Sequence, residues 1–270
     1  MNTGRVYDLS MDETGGSLQR PDGAHLAWRA VEGAAPAVVW LGGFKSDMTG
    51  TKAQALAEWA HSQGRAFIRF DYFGHGASSG DFKDGTVSRW REDALAVIDQ
   101  LTKDELVLVG SSMGGWIACL AAMARPERVK ALVLVAPAPD FTEKLMAPKI
   151  PPQGRADLDE TGVWLRPSEY GEPYPITRAL LEDGARWSIL GGEPVPIEVP
   201  VRVLQGGEDP DVPWGHALEL AQALKSQDVV FGLIKDGDHR LSRPQDLERL
   251  TAAVNEMVTL DADLFGNGGA

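Results

Sequence analysis

The segment from residue 106 to 124 constrains this chain more than any other. It opens with Leu106-Val107-Leu108-Val109, a run of β-branched and leucine residues that reads as a buried strand. It closes with alanines and large apolar residues that read as a packed helix. Only Gly110-x-Ser112-x-Gly114 separates the two. A strand that becomes a helix in so few residues must strain its central residue, and the flanking glycines remove the Cβ atoms that would block the turn. The strain lifts the Ser112 hydroxyl clear of the sheet, beside the first amides of the helix. A second Gly-x-Ser-x-Gly occurs at residues 76–80. It follows Asp71-Tyr72-Phe73-Gly74-His75, with no apolar strand directly before it and no helical pattern after it, so it reads as a loop.

The surroundings of this segment alternate between strand and helix. Pro21-Asp22-Gly23 marks a turn between two edge strands in the first 35 residues, with His25 on a strand surface. Residues 37–41 and 66–70 read as strands. Residues 51–63 carry helical spacing, with Ala55, Leu56 and Trp59 on one side, His61 solvated and Gly64 as the stop. Thr86 or Ser88 caps a helix to about Leu101, whose stripe is Trp90, Ala94, Val97 and Leu101. Residues 129–135 form another apolar strand. This order predicts a mostly parallel central sheet covered by helices on both faces. The alternation stops after Pro137. Prolines and aromatics recur through residues 138–196, with one helix expected near residues 176–183. Strands resume at 201–205 and 229–234, followed by helices near 214–224 and 244–260. The expected division is core at 1–137 and 197–263, an insertion at 138–196, and a frayed tail at 264–270.

The strand, turn and helix around Ser112 resemble the nucleophile elbow of the α/β-hydrolases. That resemblance implies the α/β-hydrolase fold with a cap insertion over the active site, and a Ser-His-acid triad in the chain order serine, acid, histidine. His239 follows a late strand and takes the histidine place. Glu208, Asp209, Asp211 and Asp238 all lie near enough in sequence to be its acid. Loops of the form Gly-x-x-Asp-x-x-Val-Pro in the superfamily favour Asp209. The segment Gly42-Gly43-Phe44 after an early strand, by the same resemblance, supplies an oxyanion donor from the Phe44 amide, with the Met113 amide as the second. Asp71 is expected to brace loops near the serine, and His75 to occupy a loop position. Trp164, Tyr170 and Trp187 in the insertion are the candidates to line an acyl pocket.

A closer resemblance rests on Arg69-Phe70-Asp71-Tyr72, Trp90-Arg91-Glu92-Asp93, Gly110-Ser111-Ser112-Met113-Gly114-Gly115-Trp116, Ala124-Arg125-Pro126-Glu127, Val212-Pro213-Trp214 and Asp238-His239-Arg240. Together these are similar to the mitochondrial palmitoyl-protein thioesterase group, whose members also hydrolyse acyl glucuronides. The resemblance implies a serine carboxylesterase or thioesterase that forms an acyl-enzyme on a small-molecule acyl ester or thioester. A carbon–carbon bond hydrolase with the same triad, and a non-catalytic hydrolase-like binding protein, are the alternatives. The chemistry calls for no cofactor, and the spacing of histidines and carboxylates shows no metal pattern. A net charge of −13 over 270 residues argues against a nucleic-acid partner. No apolar run is long enough for a membrane span. Cys119 is the single cysteine and falls on the apolar helix after the elbow. The first residues include Asp8, Asp12 and Glu13, which transit sequences avoid, so the expected compartment is the cytoplasm.

Overall fold

Apolar runs bounded by turn residues become strands, and the longer patterned segments between them become helices. A computed structural model describes residues 13–167 and 173–260. Its strands are β1 (Thr14–Gln19), β2 (His25–Val31), β3 (Ala34–Leu41), β4 (Arg65–Phe70), β5 (Leu106–Ser111), β6 (Val129–Val135), β7 (Val163–Arg166), β8 (Tyr174–Thr177), β9 (Val201–Gly206) and β10 (Val229–Ile234). The helices are α1 (Thr51–Gln63), α2 (Val87–Leu101), α3 (Met113–Ala124), α4 (Pro152–Thr161), α5 (Arg178–Arg186), α6 (Trp214–Ala223) and α7 (Pro244–Thr259). Eight strands form one sheet in the order β1-β2-β4-β3-β5-β6-β9-β10. β2 runs antiparallel to both of its neighbours, β1 and β4, and all pairings from β4 to β10 are parallel. Every parallel strand therefore delivers its carboxyl end to one edge, where α/β sheets place their ligand sites.

The central strands are apolar on both faces because both faces are covered. One core joins α1 and α7 to the sheet through Val38, Phe67, Val107, Val133 and Val254. The other joins α2, α3, α6 and the insertion through Leu108, Trp90, Ile117, Leu134 and Leu220. α3 is buried from Met113 to Ala122, as its apolar sequence requires. Cys119 is a filler within it, and burial pushes its thiol up to about 12. On α1 the buried stripe is Ala53, Leu56, Ala57 and Ala60 rather than Ala55, Leu56 and Trp59. Small residues let that helix lie close to the sheet, which turns Trp59 half out of the core. Gly64 ends it in the left-handed conformation at φ 61°.

Between β6 and β9 the chain leaves the sheet. It forms a π-helical turn at Phe141–Met146, a 3-10 turn at Ala147–Lys149, α4, the separate β7–β8 hairpin and α5. The helix expected near residues 176–183 starts later, because Thr177 is its cap and accepts from the Leu180 N–H at 3.1 Å. α4 and the hairpin go beyond the sequence expectation. Pro152 stands in the first turn of α4, where proline breaks no helical bond. The buried positions of α4 are only Gly154 and Leu158, too few to leave an apolar stripe. Tyr170 and the tail at 264–270 lie outside the described residues. No helix among the described residues is long and apolar enough to cross a membrane.

The elbow leaves no room for side chains at its glycines. A Cβ on Gly110 would sit 2.3 Å from the Gly114 carbonyl oxygen, and one on Gly114 would sit 2.0 Å from the Leu41 carbonyl oxygen. Backbone cannot yield at that separation without moving β3 away from α3. Gly114→Ala is therefore expected to destabilise the protein by about 3 kcal/mol, measured by urea unfolding. A loss below about 0.5 kcal/mol would contradict this packing.

Candidate active site

Ser112 links β5 to α3 with φ 55° and ψ −119°. That conformation is strained for a residue with a Cβ, and it persists because β5 and α3 are both buried on either side. Asp209 lies in the loop after β9, and His239 in the loop after β10. The parallel order brings these loops beside the end of β5. The Ser112 Oγ–H donates to His239 Nε2 at 3.1 Å, and His239 Nδ1–H donates to Asp209 Oδ2 at 2.8 Å. The Asp209 side chain is wholly buried while that of His239 is 24 % exposed, so the carboxylate is sealed and the imidazole reaches the solvent edge.

Asp209 Oδ1 accepts from the Asp211 and Val212 N–H groups, each at 2.9 Å. Its Oδ2 accepts from Gln205 Nε2 at 3.1 Å as well as from His239. Burial works to raise the carboxyl, but the His239 hydrogen bond and charge and the two amides outweigh it, and its pKa falls below the ordinary value. Asp211 completes a grouping with Asp209 and His239 whose ligand atoms lie within 4.8 Å of one another. The acceptor directions of Asp209 are already occupied by four donors, so the geometry suits an orienting carboxylate better than a metal ligand. Among the described residues neither Glu208 nor Asp238 makes a hydrogen bond or ion pair with the imidazole; Asp238 instead accepts from the Leu241 N–H at 2.9 Å.

Gly42-Gly43-Phe44 runs alongside the elbow, and a Cβ on Gly43 would lie 3.5 Å from the Ser112 Cβ. Among the described residues neither the Phe44 nor the Met113 N–H has a hydrogen-bond acceptor. Met113 begins α3, so its amide also carries the positive end of the helix dipole. Asp71, the first residue after β4, braces this edge by accepting from the Met48 N–H at 2.7 Å and the Ala77 N–H at 2.8 Å. The second Gly-x-Ser-x-Gly is a loop: Ser78 Oγ accepts from the Ala27 N–H and Ser79 Oγ from the His25 N–H.

Of the three candidates for the acyl pocket, Trp164 and Trp187 make packing and hydrogen-bond contacts within the insertion and to α2. Trp164 is only 7 % exposed, and a Cβ on Gly154 of α4 would meet its indole at 2.8 Å. It holds the insertion together. Trp187 donates to Ser88 Oγ at 2.7 Å, lies under the Arg91 guanidinium, and flanks a groove with Leu120 and Met123. Those residues belong to the carboxyl half of α3, while the Trp187 carbonyl accepts from Trp116 Nε1 in the first turn of that helix at 3.2 Å. The wall beside Phe44 is instead Phe82, Phe141, Tyr174 and Trp90, with ring centroids 4.9, 5.4, 6.4 and 5.9 Å from the Phe44 ring.

Two residues that contact the triad loops, Gln205 and Lys52, escaped sequence reasoning. Gln205 is fully buried in β9 and anchors the acid, and a lone amide in an apolar strand was the available signal. Lys52 of α1 donates to the Arg240 carbonyl next to His239, and burial draws its ammonium down to about 8. His75, expected in a loop, is in one but is buried.

Residues 34–182 match a protein-family profile described as serine aminopeptidase, S33. The bovine palmitoyl-protein thioesterase ABHD10, mitochondrial, is 38 % identical over 243 residues, spanning 89 % of this chain and 79 % of that protein. The human protein of the same name is 37 % identical over the same shares. The chain belongs to this α/β-hydrolase family. Solved relatives agree on the fold. A putative hydrolase from Agrobacterium vitis S4 is 46 % identical with a TM-score of 0.87, covering 91 % of this chain and 99 % of that one. Mouse α/β-hydrolase domain-containing protein 10 is 35 % identical with a TM-score of 0.83, covering 91 % and 98 %. This hydrolase is thus an enzyme of the serine hydrolase class. The cytoplasmic expectation is corrected by the same comparison, because the animal relatives are named as mitochondrial proteins.

Proposed function

We propose that this enzyme cleaves acyl esters and thioesters through Ser112, His239 and Asp209. The observation that carries the reading is the continuous hydrogen-bonded relay from Oγ to imidazole to buried carboxylate. An ionised Asp209 can only accept, so it fixes the proton on Nδ1 and leaves the Nε2 lone pair facing the serine. Ser112 attacks the acyl carbonyl as its proton passes to Nε2. The developing oxyanion accepts from the Phe44 and Met113 N–H groups. His239 then protonates the departing alkoxide or thiolate, and the acyl group stays on Ser112. Water, deprotonated by the same imidazole, releases the acid and restores the serine. The acyl chain lies against Phe44, Phe82, Phe141 and Tyr174, and the insertion at 138–196 serves as a cap over it.

Two measurements test this reading. A panel of 4-nitrophenyl esters and matched acyl thioesters of increasing chain length is expected to show turnover of both classes. Turnover of aminoacyl anilides with none of esters or thioesters contradicts it. The base works only as neutral imidazole, while Asp209, held below the carboxylate range, stays ionised. Removing the base in His239→Ala is therefore expected to lower kcat/KM by about 10⁴-fold. Activity within tenfold of wild type counts against His239 as base.

A further inference from the structure

His75 lies in the loop after β4, outside the triad, yet its ring is committed on both nitrogens. Nε2 accepts from the Lys45 N–H at 3.1 Å, and Nδ1 lies 3.0 Å from the Phe73 carbonyl oxygen. Because a backbone amide can only donate, Nε2 must hold the lone pair and Nδ1 the proton, and a single neutral tautomer satisfies both contacts. The residue is 4 % exposed, and its ring is packed edge-on against Tyr72, Phe82 and Trp90. Burial draws its pKa down to about 4, so it stays neutral at pH values where imidazoles ordinarily take up a proton.

Its partner is unusual. Lys45 is a non-glycine residue at φ 55°, a backbone conformation that needs outside support. It directly follows Phe44. The other hydrogen bonds of the turn are local, with Ser46 N–H and Oγ–H both donating to the Gly43 carbonyl at 3.2 and 2.8 Å. The Phe44 ring and the Lys45 ammonium rest on the aromatic wall, and Met48 is tied to Asp71 further on, but these contacts hold side chains and the following residues rather than the Lys45 peptide. The bond to His75 ties it to the loop after β4, which Asp71 holds in turn.

We propose that His75 is a positioning residue for the oxyanion site: by accepting from the Lys45 N–H it aims the neighbouring Phe44 N–H at the carbonyl attacked by Ser112. This rests on Phe44 being an oxyanion donor, as assigned above. His75 touches no reacting atom, so its removal acts on the transition state and leaves ground-state binding of the acyl chain intact.

The test compares wild type, His75→Phe, His75→Gln and Ser112→Ala on a 4-nitrophenyl acyl ester. Phenylalanine keeps the ring packing and deletes the acceptor; glutamine restores an acceptor at similar reach. His75→Phe is expected to lose about 10- to 100-fold in kcat with KM within about twofold. His75→Gln is expected to recover most of that loss. Affinity for an alkyl trifluoromethyl ketone, whose adduct places an oxyanion in the site, should fall by the same factor as kcat. Should His75→Phe not fold, His75→Met against His75→Gln gives the same contrast, with glutamine the faster. If the variant lacking an acceptor matches wild type, or glutamine is no better than it, while Ser112→Ala is inactive, the role of His75 is refuted and the triad stands. A wild type that turns over neither ester nor thioester removes both.

Discussion

Ser112→Ala is expected to lower kcat by about 10⁴- to 10⁶-fold without unfolding the protein. The hydroxyl makes one hydrogen bond, to His239, and no bond that holds β5 or α3 in place. Ser112's structural contacts are through its backbone: its N–H donates to the Val135 carbonyl, and its own carbonyl accepts from Gly115 and Ala138. Alanine keeps all of these and the same strained φ. The expected signature is a lost rate with an unchanged unfolding midpoint, read by an esterase assay beside thermal denaturation. A variant that retains activity within tenfold would show that another serine carries the chemistry.

Asp209→Asn is expected to cost about 10⁴-fold in kcat. The asparagine oxygen can still accept from the Asp211 and Val212 amides, so its amide nitrogen must face His239 and Gln205. The imidazole then accepts on Nδ1 and carries its proton on Nε2, the wrong side for taking one from Ser112. Gln205 Nε2 keeps its bonds to the Gly206 and Val212 carbonyls at 3.2 and 3.0 Å and loses only the one to residue 209. The fold therefore survives at neutral pH. The lowered pKa of Asp209 adds a second signature. A carboxyl whose folded pKa lies below its unfolded value contributes stability above the unfolded pKa and loses it as pH falls through the folded one. Asparagine removes that contribution, so the variant's stability should depend less steeply on pH below about 4. Activity close to wild type would mean that Asp211 or Asp238 can replace it.

The parts of this account that were legible in the sequence are those written in local pattern. The elbow could be read because strand, glycines and helix are adjacent, and each glycine answers to a close backbone approach at Gly110 and Gly114. The ends of β10 and the start of α7 were likewise marked by apolar runs and Pro244. The insertion was less legible. Its prolines suggested irregular chain, yet Pro152 opens α4 and Pro175 sits within the short β8. Aromatic residues announced an apolar environment without saying which one: Trp164 fills the insertion's own interior, and Trp187 bridges to α2, while Phe141 and Tyr174 reach Phe44. Gln205 and His75 owe their significance to partners on other strands and loops, which no spacing rule exposes.

The most direct test of the central claim is covalent labelling with an alkyl fluorophosphonate, followed by peptide mass mapping. The geometry predicts one phosphonyl adduct, on the peptide carrying Ser112, formed far more slowly in His239→Ala. An adduct on Ser78 of the second Gly-x-Ser-x-Gly loop, or no adduct on active wild-type enzyme, would contradict it.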